Sequence, residues 1–108
     1  RGGGRAVAVL GDMFELGPSA AELHRSVGEW AAESGVTRLY AAGDAAPAYL
    51  EGAPNKGMDA GDTFWGTKAE VAEDLKRFLG RGDWVVVKGS RGMAMETVLN
   101  DIRNWADA

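Results

Sequence analysis

Segments with strand-like and helix-like periodicity alternate along this sequence, and the alternation narrows the fold before any single residue is considered. Residues 5–10, Arg-Ala-Val-Ala-Val-Leu, form a near-continuous apolar run closed by Gly11 and Asp12, the pattern of a strand buried on both faces. Ser19 and Glu22 then stand at capping-box spacing, and Leu23, Val27, Trp30 and Ala31 recur at helical spacing until Gly35 supplies a stop. Residues 37–42 give a second strand closed by Gly43 and Asp44. Residues 45–50 allow at most a short helix, because Pro47 must lie in its first turn. Residues 62–65 predict a short third strand. Thr67 and Glu70 repeat the capping-box spacing, and Val71, Leu75, Phe78 and Leu79 make one apolar stripe running up to Gly80. Residues 83–87 are rich in β-branched side chains and predict a fourth strand, which runs into Lys88-Gly-Ser-Arg-Gly92. Met95, Val98, Leu99, Ile102 and Trp105 mark a last helix.

The order βαβαβαβα, joined by right-handed crossovers, predicts an α/β fold: a Rossmann-like three-layer α/β/α domain with a mainly parallel sheet. In such a sheet ligands bind outside the carboxyl ends of the strands, so the loops after the first, second and fourth strands are the candidate sites. A chain of 108 residues has room for one such core, and the two glycine-bearing stretches at residues 1–5 and 51–57 read as loops rather than linkers between domains.

Composition removes several classes of function. Twelve Lys and Arg against 16 Asp and Glu leave a net charge of −4, which does not recommend nucleic acid as a partner. With no cysteine and one histidine, disulfides, thiolate or multi-histidine metal sites and a thiol nucleophile are excluded within these residues. The apolar runs are far shorter than the roughly 20 residues of a bilayer-spanning helix, so no membrane insertion is expected. The lack of cysteines and of Asn-x-Ser/Thr sequons, with no signal peptide visible at the start, points to a cytoplasmic setting.

Two loops carry the residues suited to binding. After the first strand, Gly11-Asp-Met-Phe-Glu-Leu-Gly17 places Asp12 and Glu15 at the carboxyl edge of the sheet, where they can position a cation or an amine. The alternative is that Asp12 caps a turn and Glu15 is solvated, with Met13, Phe14 and Leu16 packed beneath the loop. After the fourth strand, Gly89 and Gly92 let backbone approach a ligand and the following helix offers N–H groups to an anion. Lys88 and Arg91 add charge there, and Arg91 can grip a carboxylate with two parallel hydrogen bonds. The competing reading is a turn in which Ser90 caps the helix. His24, early in the first helix, can donate to the loop after the first strand or serve as a partly buried hydrogen-bonding residue. There is no G-x-x-x-x-G-K-[ST] cradle, no G-x-G-x-x-G fingerprint and no G-x-S-x-G elbow, so no catalytic residue and no metal site is assigned within the chain.

Residues 9–17, Val-Leu-Gly-Asp-Met-Phe-Glu-Leu-Gly, and 86–93, Val-Val-Lys-Gly-Ser-Arg-Gly-Met, together resemble the carboxyl-terminal domain of a Mur ligase. The match is to the MurF type, the UDP-N-acetylmuramoyl-tripeptide–D-alanyl-D-alanine ligases of bacterial peptidoglycan synthesis. Glu22-Leu-His24, Ala42-Gly-Asp44 and Met95-Glu96 extend it over nearly the whole chain. The resemblance implies that residues 1–108 are one domain of a longer three-domain enzyme, an ATP-dependent peptide ligase. Its amino-terminal domain holds the UDP-N-acetylmuramoyl-tripeptide, its central domain holds ATP and magnesium, and its carboxyl domain closes over both. By the same resemblance Lys88, Ser90 and Arg91 line the side of the cleft that takes D-Ala-D-Ala, with Asp12 and Glu15 on the adjoining loop. Gly11, Met13, His24, Gly43, Asp44, Gly89 and Gly92 are the cleft-loop or supporting residues. The family often has a basic residue where Ala94 stands. The isolated domain is expected to be inactive; the alternative is a stand-alone α/β module that binds a small anion.

Overall fold

The computed structural model describes residues 5–11, 20–43, 46–80, 82–88 and 96–106. The elements follow as β1 (Ala6–Gly11), α1 (Ala20–Glu33), β2 (Arg38–Ala42), α2 (Ala46–Gly52), β3 (Thr63–Trp65), α3 (Lys68–Phe78), β4 (Trp84–Lys88) and α4 (Glu96–Ala106). Short 3-10 turns at Ala53–Lys56 and Ala60–Asp62 connect α2 to β3. The described strands pair in the order β3-β2-β1-β4, every pair parallel, as the βα alternation requires.

β1 is central and its side chains divide between two cores. Val7 and Val9 pack with Val71, Ala72 and Leu75 of α3 and Val98 and Ile102 of α4. Ala8 and Leu10 pack on the other face with Ala31 of α1, Tyr49 of α2, Ala53 and Met58. The strand is therefore apolar at successive positions because both of its faces are inside. Each fully buried Val or Leu contributes roughly 1.5–3 kcal/mol of transfer free energy.

Local signals end the helices where the chain must turn. The α3 capping box is formed: Thr67 N–H donates to Glu70 Oε1 at 2.8 Å and Glu70 N–H to Thr67 Oγ1 at 3.1 Å. The Ser19 partner of the other predicted box lies outside the described residues. Gly35, at φ 86°, closes α1 as read from the sequence, its N–H donating to the Ala32 carbonyl and that of Val36 to the Ala31 carbonyl. α3 stops just ahead of Gly80, as the sequence reading has it, but without a left-handed cap at that glycine. Leu79 leaves the helix in an extended conformation, and the left-handed glycine of that connection is Gly82, at φ 87°, rather than Gly80. Asp83 explains the difference, since its Oδ2 accepts the Gly80 N–H at 2.9 Å and holds that residue in the turn.

Two amphipathic stripes are placed otherwise than their spacing predicts. On α1 the buried positions are His24, Gly28 and Ala31, while Leu23 and Trp30 are 43% and 54% exposed. The cause is α2. A Cβ on Gly28 would collide with the Tyr49 carbonyl and one on Gly52 with the Arg25 carbonyl, so the two helices approach backbone to backbone through this pair of glycines. That contact, rather than the larger apolar residues, sets the rotation of α1. On α4 Val98 and Ile102 are buried as expected, but Trp105 is exposed near the helix end.

Candidate functional site at the carboxyl edge of the sheet

Because the sheet is parallel, the strands finish on one edge. Leu10 pairs with Lys88, Gly11 with Ala42 and Ala41 with Trp65, so Gly11, Gly43, Trp65 and Lys88 stand in a row along it. β1 leads towards α1 on one face and β4 towards α4 on the other. The helices that follow these two adjacent strands thus lie on opposite faces, and the crevice between the strands' carboxyl ends is the usual binding position of an open α/β sheet. Gly11 and the exposed Lys88 form its two lips.

The β1 lip is fixed from beneath. The buried Tyr49 hydroxyl donates to the Gly11 carbonyl at 2.8 Å. The His24 ring, also buried, meets the Tyr49 ring edge-on with centroids 4.9 Å apart. Burial of a carbonyl at the last residue of β1 is affordable only with such a partner. Further along the edge, Trp65 Nε1 donates to the Gly43 carbonyl at 3.3 Å. Gly43 makes the turn out of β2 at φ 110°, a conformation that favours glycine.

Of the sequence-predicted site residues, Gly11, Gly43 and Lys88 lie on this edge, and His24 lies in the layer supporting it. Asp12, Met13, Glu15, Asp44, Gly89, Ser90, Arg91 and Gly92 lie outside the described residues. Tyr49 and Trp65 were not singled out by the sequence. Tyr49 sits in the segment where Pro47 permits only a short helix, and its one signal is being a large aromatic residue among alanines. Trp65 closes a strand of three residues just before Gly66, the position from which a side chain reaches the edge.

The opposite, amino-terminal edge is built from charge. Arg38 Nε donates to the Tyr40 hydroxyl at 2.8 Å and its Nη2 to Asp74 Oδ2 at 2.9 Å, while the Tyr40 hydroxyl donates to the same oxygen at 2.6 Å. Burial raises the Tyr40 hydroxyl well above its ordinary range, and Asp74 as its acceptor adds to that. Burial works against the Asp74 charge but is outweighed by hydrogen bonds from Tyr40 and Arg38, which hold the carboxyl below its ordinary value. Arg5 Nη2 meets Asp83 Oδ2 at 2.8 Å, and that bond, with the backbone N–H groups of Gly80 and Arg5, holds the Asp83 carboxyl far below the usual range. These groups are mutually satisfied and turned away from the crevice. Among the described residues no group of three or more His, Cys, Asp or Glu side chains could hold a metal ion. No described helix is long and apolar enough to cross a membrane.

Residues 1–91 match the family model described as Mur ligase, glutamate ligase domain. The chain belongs to this family. Its relatives include the UDP-N-acetylmuramoyl-tripeptide–D-alanyl-D-alanine ligase of Bacillus subtilis, 28% identical over 94% of the chain, and that of Treponema pallidum, 40% identical over 83%. The chain spans only 22% and 20% of those two proteins. Among solved structures, MurF from Acinetobacter baumannii superposes with a TM-score of 0.79 at 32% identity, covering 92% of the chain and 22% of that protein. MurF ligase from Thermotoga maritima in complex with ADP gives 0.74 at 25% identity, covering 94% and 22%. The Mur ligase domain therefore shares the α/β fold read from the sequence, and likeness to the MurF members runs through almost all of it.

Proposed function

We propose that this Mur ligase domain is the carboxyl-terminal part of a UDP-N-acetylmuramoyl-tripeptide–D-alanyl-D-alanine ligase, and that it closes the active site and helps bind the acceptor dipeptide. The observation that carries this reading is the crevice between β1 and β4, with Lys88 on its lip. The segments that follow Gly11 and Lys88 in the sequence, residues 12–17 and 89–93, are those in which the sequence resembles the MurF type. In such a ligase the tripeptide carboxylate takes the γ-phosphoryl group of ATP, giving an acyl phosphate and ADP. The D-Ala-D-Ala amine then attacks the carbonyl carbon, the C–N bond forms as the C–O bond to phosphate breaks, and the amine gives up a proton.

The described residues do not fit a nucleotide or magnesium site. They include no acidic cluster, and the sequence has no P-loop, in keeping with ATP and magnesium held mainly by the enzyme's central domain. The part assigned to this domain is recognition. Lys88 and Arg91 supply positive charge for the dipeptide's free carboxylate, Ser90 a hydroxyl, and Asp12 and Glu15 acceptors for its ammonium group. The tripeptide substrate and the amino-terminal and central domains are its partners, in a bacterial cytoplasmic enzyme with no role for nucleic acid or membrane insertion.

The test uses the full-length enzyme with Arg91→Ala, and with Arg81→Ala as a control. Loss of one charge-assisted contact costs about 1.5–3 kcal/mol, so the KM for D-Ala-D-Ala should rise roughly tenfold to hundredfold for the first variant only. An unchanged dipeptide dependence and turnover in Arg91→Ala would remove the binding role. Failure of the parent enzyme to join D-Ala-D-Ala to the UDP-linked tripeptide, with release of phosphate, would overturn the whole reading. Phosphate-ion binding by a chain whose reading frame starts near Arg1 would favour the stand-alone module.

A further inference from the structure

All four tryptophans are exposed, and three of them lie away from the candidate site: Trp84 begins β4, and Trp30 and Trp105 fall in the last turns of α1 and α4. Trp65 is the exception. It ends β3 in register with Ala41, so it stands on the carboxyl edge in the row with Gly43, Gly11 and Lys88. Phe64 beside it packs into the core under α3, and alternation along the strand turns Trp65 to the α2 face, where Ala41 is buried. There the ring is 56% exposed but tethered, since Nε1 donates to the Gly43 carbonyl at 3.3 Å. That bond uses the only polar atom of the side chain. What Trp65 offers to solvent is therefore flat apolar π-surface, held against the turn out of β2.

We infer that Trp65 walls a subsite for the side chain of the tripeptide's terminal residue, the one whose carboxylate is activated, and that it selects a long unbranched side chain there. This rests on the function proposed above and names a specificity-determining residue for it. Spacing along the edge decides the assignment. Neighbouring strands lie about 4.8 Å apart, so β4 is one strand from β1, and Trp65 is two strands, about 10 Å, away on the other side. An extended chain advances roughly 1.2 Å per bond, so D-Ala-D-Ala, five bonds from ammonium nitrogen to carboxylate carbon, covers about 6 Å. With its carboxylate at Lys88 it spans β4 to β1, and its amine reaches the end of β1. The acyl carbon must come within about 3–3.5 Å of that amine to react. About 6 Å of the way to Trp65 then remains, and the residue that carries the acyl carbon is the group placed to cross it. Counted from the acyl carbon, a lysine-length side chain reaches six bonds, enough for about 6 Å, whereas alanine reaches two. The apolar stem of such a side chain can lie along the indole face, and an ammonium at its tip is attracted by the ring.

The experiment uses the full-length enzyme with two UDP-linked tripeptides, one ending in lysine and one in alanine, and compares the parent with Trp65→Ala and Trp65→Phe. Trp65→Ala should raise the KM for the lysine-ending substrate roughly tenfold. The KM values for the alanine-ending substrate, for D-Ala-D-Ala and for ATP should stay within about twofold. Trp65→Phe keeps a ring at the position and should restore most of the lost discrimination. Trp105→Ala, the same truncation at an exposed tryptophan off this edge, should change none of the four constants. An equal rise for both tripeptides would overturn the inference, because the ring would then not read the terminal side chain. So would a rise confined to ATP or to D-Ala-D-Ala, which would give the ring to the nucleotide or to the acceptor, and so would no change at all. A parent enzyme that joins D-Ala-D-Ala to neither tripeptide would overturn the function proposed above and this inference with it, whereas the other outcomes, read on an active parent, overturn the inference alone.

Discussion

The two edges of the sheet are held by different physics. The amino-terminal edge is locked by charge-assisted bonds among Arg5, Asp83, Arg38, Tyr40 and Asp74, whose donors and acceptors satisfy one another. The carboxyl edge is held by neutral bonds to backbone carbonyls, Tyr49 to Gly11 and Trp65 to Gly43, and it presents Lys88 to solvent. Placing the strong bonds away from the crevice keeps the scaffold rigid without consuming charge where a ligand must be met. Under the proposed function, stability and binding fall to opposite ends of the same strands.

If that division holds, damage to the amino edge should unfold the domain without changing its chemistry. Asp74→Ala leaves Arg38 and the Tyr40 hydroxyl without their shared acceptor, and should cost about 3 kcal/mol in urea unfolding. The dipeptide KM of the folded full-length enzyme should stay as it was. A changed KM with unchanged stability would reverse the assignment.

The same edge should govern the response to acid. The Asp74 and Asp83 carboxyls are held below their ordinary 3.8, so the stability they contribute is complete above about pH 4 and drains away as the pH falls below it. Asp83→Asn should flatten the acid limb of the stability curve. At the alkaline end the sign is opposite in pH. Tyr40 is raised above its ordinary 10.0, so its contribution is complete below pH 10 and is lost as pH climbs beyond it. Thermal melts from pH 2 to 11 check both limbs, and an acid limb unaltered by Asp83→Asn would contradict the account.

Tyr49→Phe probes the carboxyl edge. Loss of the buried hydroxyl strands the Gly11 carbonyl and should cost about 1–2 kcal/mol of stability. In the full-length enzyme it should also raise the dipeptide KM, because Gly11 leads into the loop carrying Asp12 and Glu15. The smallest effect is expected at Trp65→Phe. The residue is 56% exposed and its bond to Gly43 is long, so stability should change by less than about 0.5 kcal/mol.

Period and punctuation determined much of this domain directly from sequence. The apolar run of β1, the Thr67–Glu70 capping box and the stop at Gly35 are consequences of a few adjacent residues, and all three are realised in the structure. The β-before-α order then leaves a parallel sheet as the economical topology, which places Gly11, Gly43 and Lys88 on a common edge. The recognised loops around Asp12 and Arg91 came from residue identity and resemblance, since spacing alone left a plain turn open beside a cation or amine site at the first and an anion site at the second.

Tertiary structure decided what depends on a partner distant in sequence. Leu23 and Trp30 read as core because hydrophobicity is a property of each residue, whereas burial is a property of the neighbour, and α2 approaches α1 through Gly28 instead. Gly80 and Gly82 are equally permissive as glycines; Asp83, anchored by Arg5 from 78 residues away, chooses between them. Tyr49 acquires its place beneath the crevice only when β1 and α2 are packed, and β4, the most strand-like segment in composition, becomes an edge strand with Trp84 and Val86 uncovered. Local propensity is written within a few residues of chain, but the face that each element buries is set by contacts the chain makes only after it has folded back on itself.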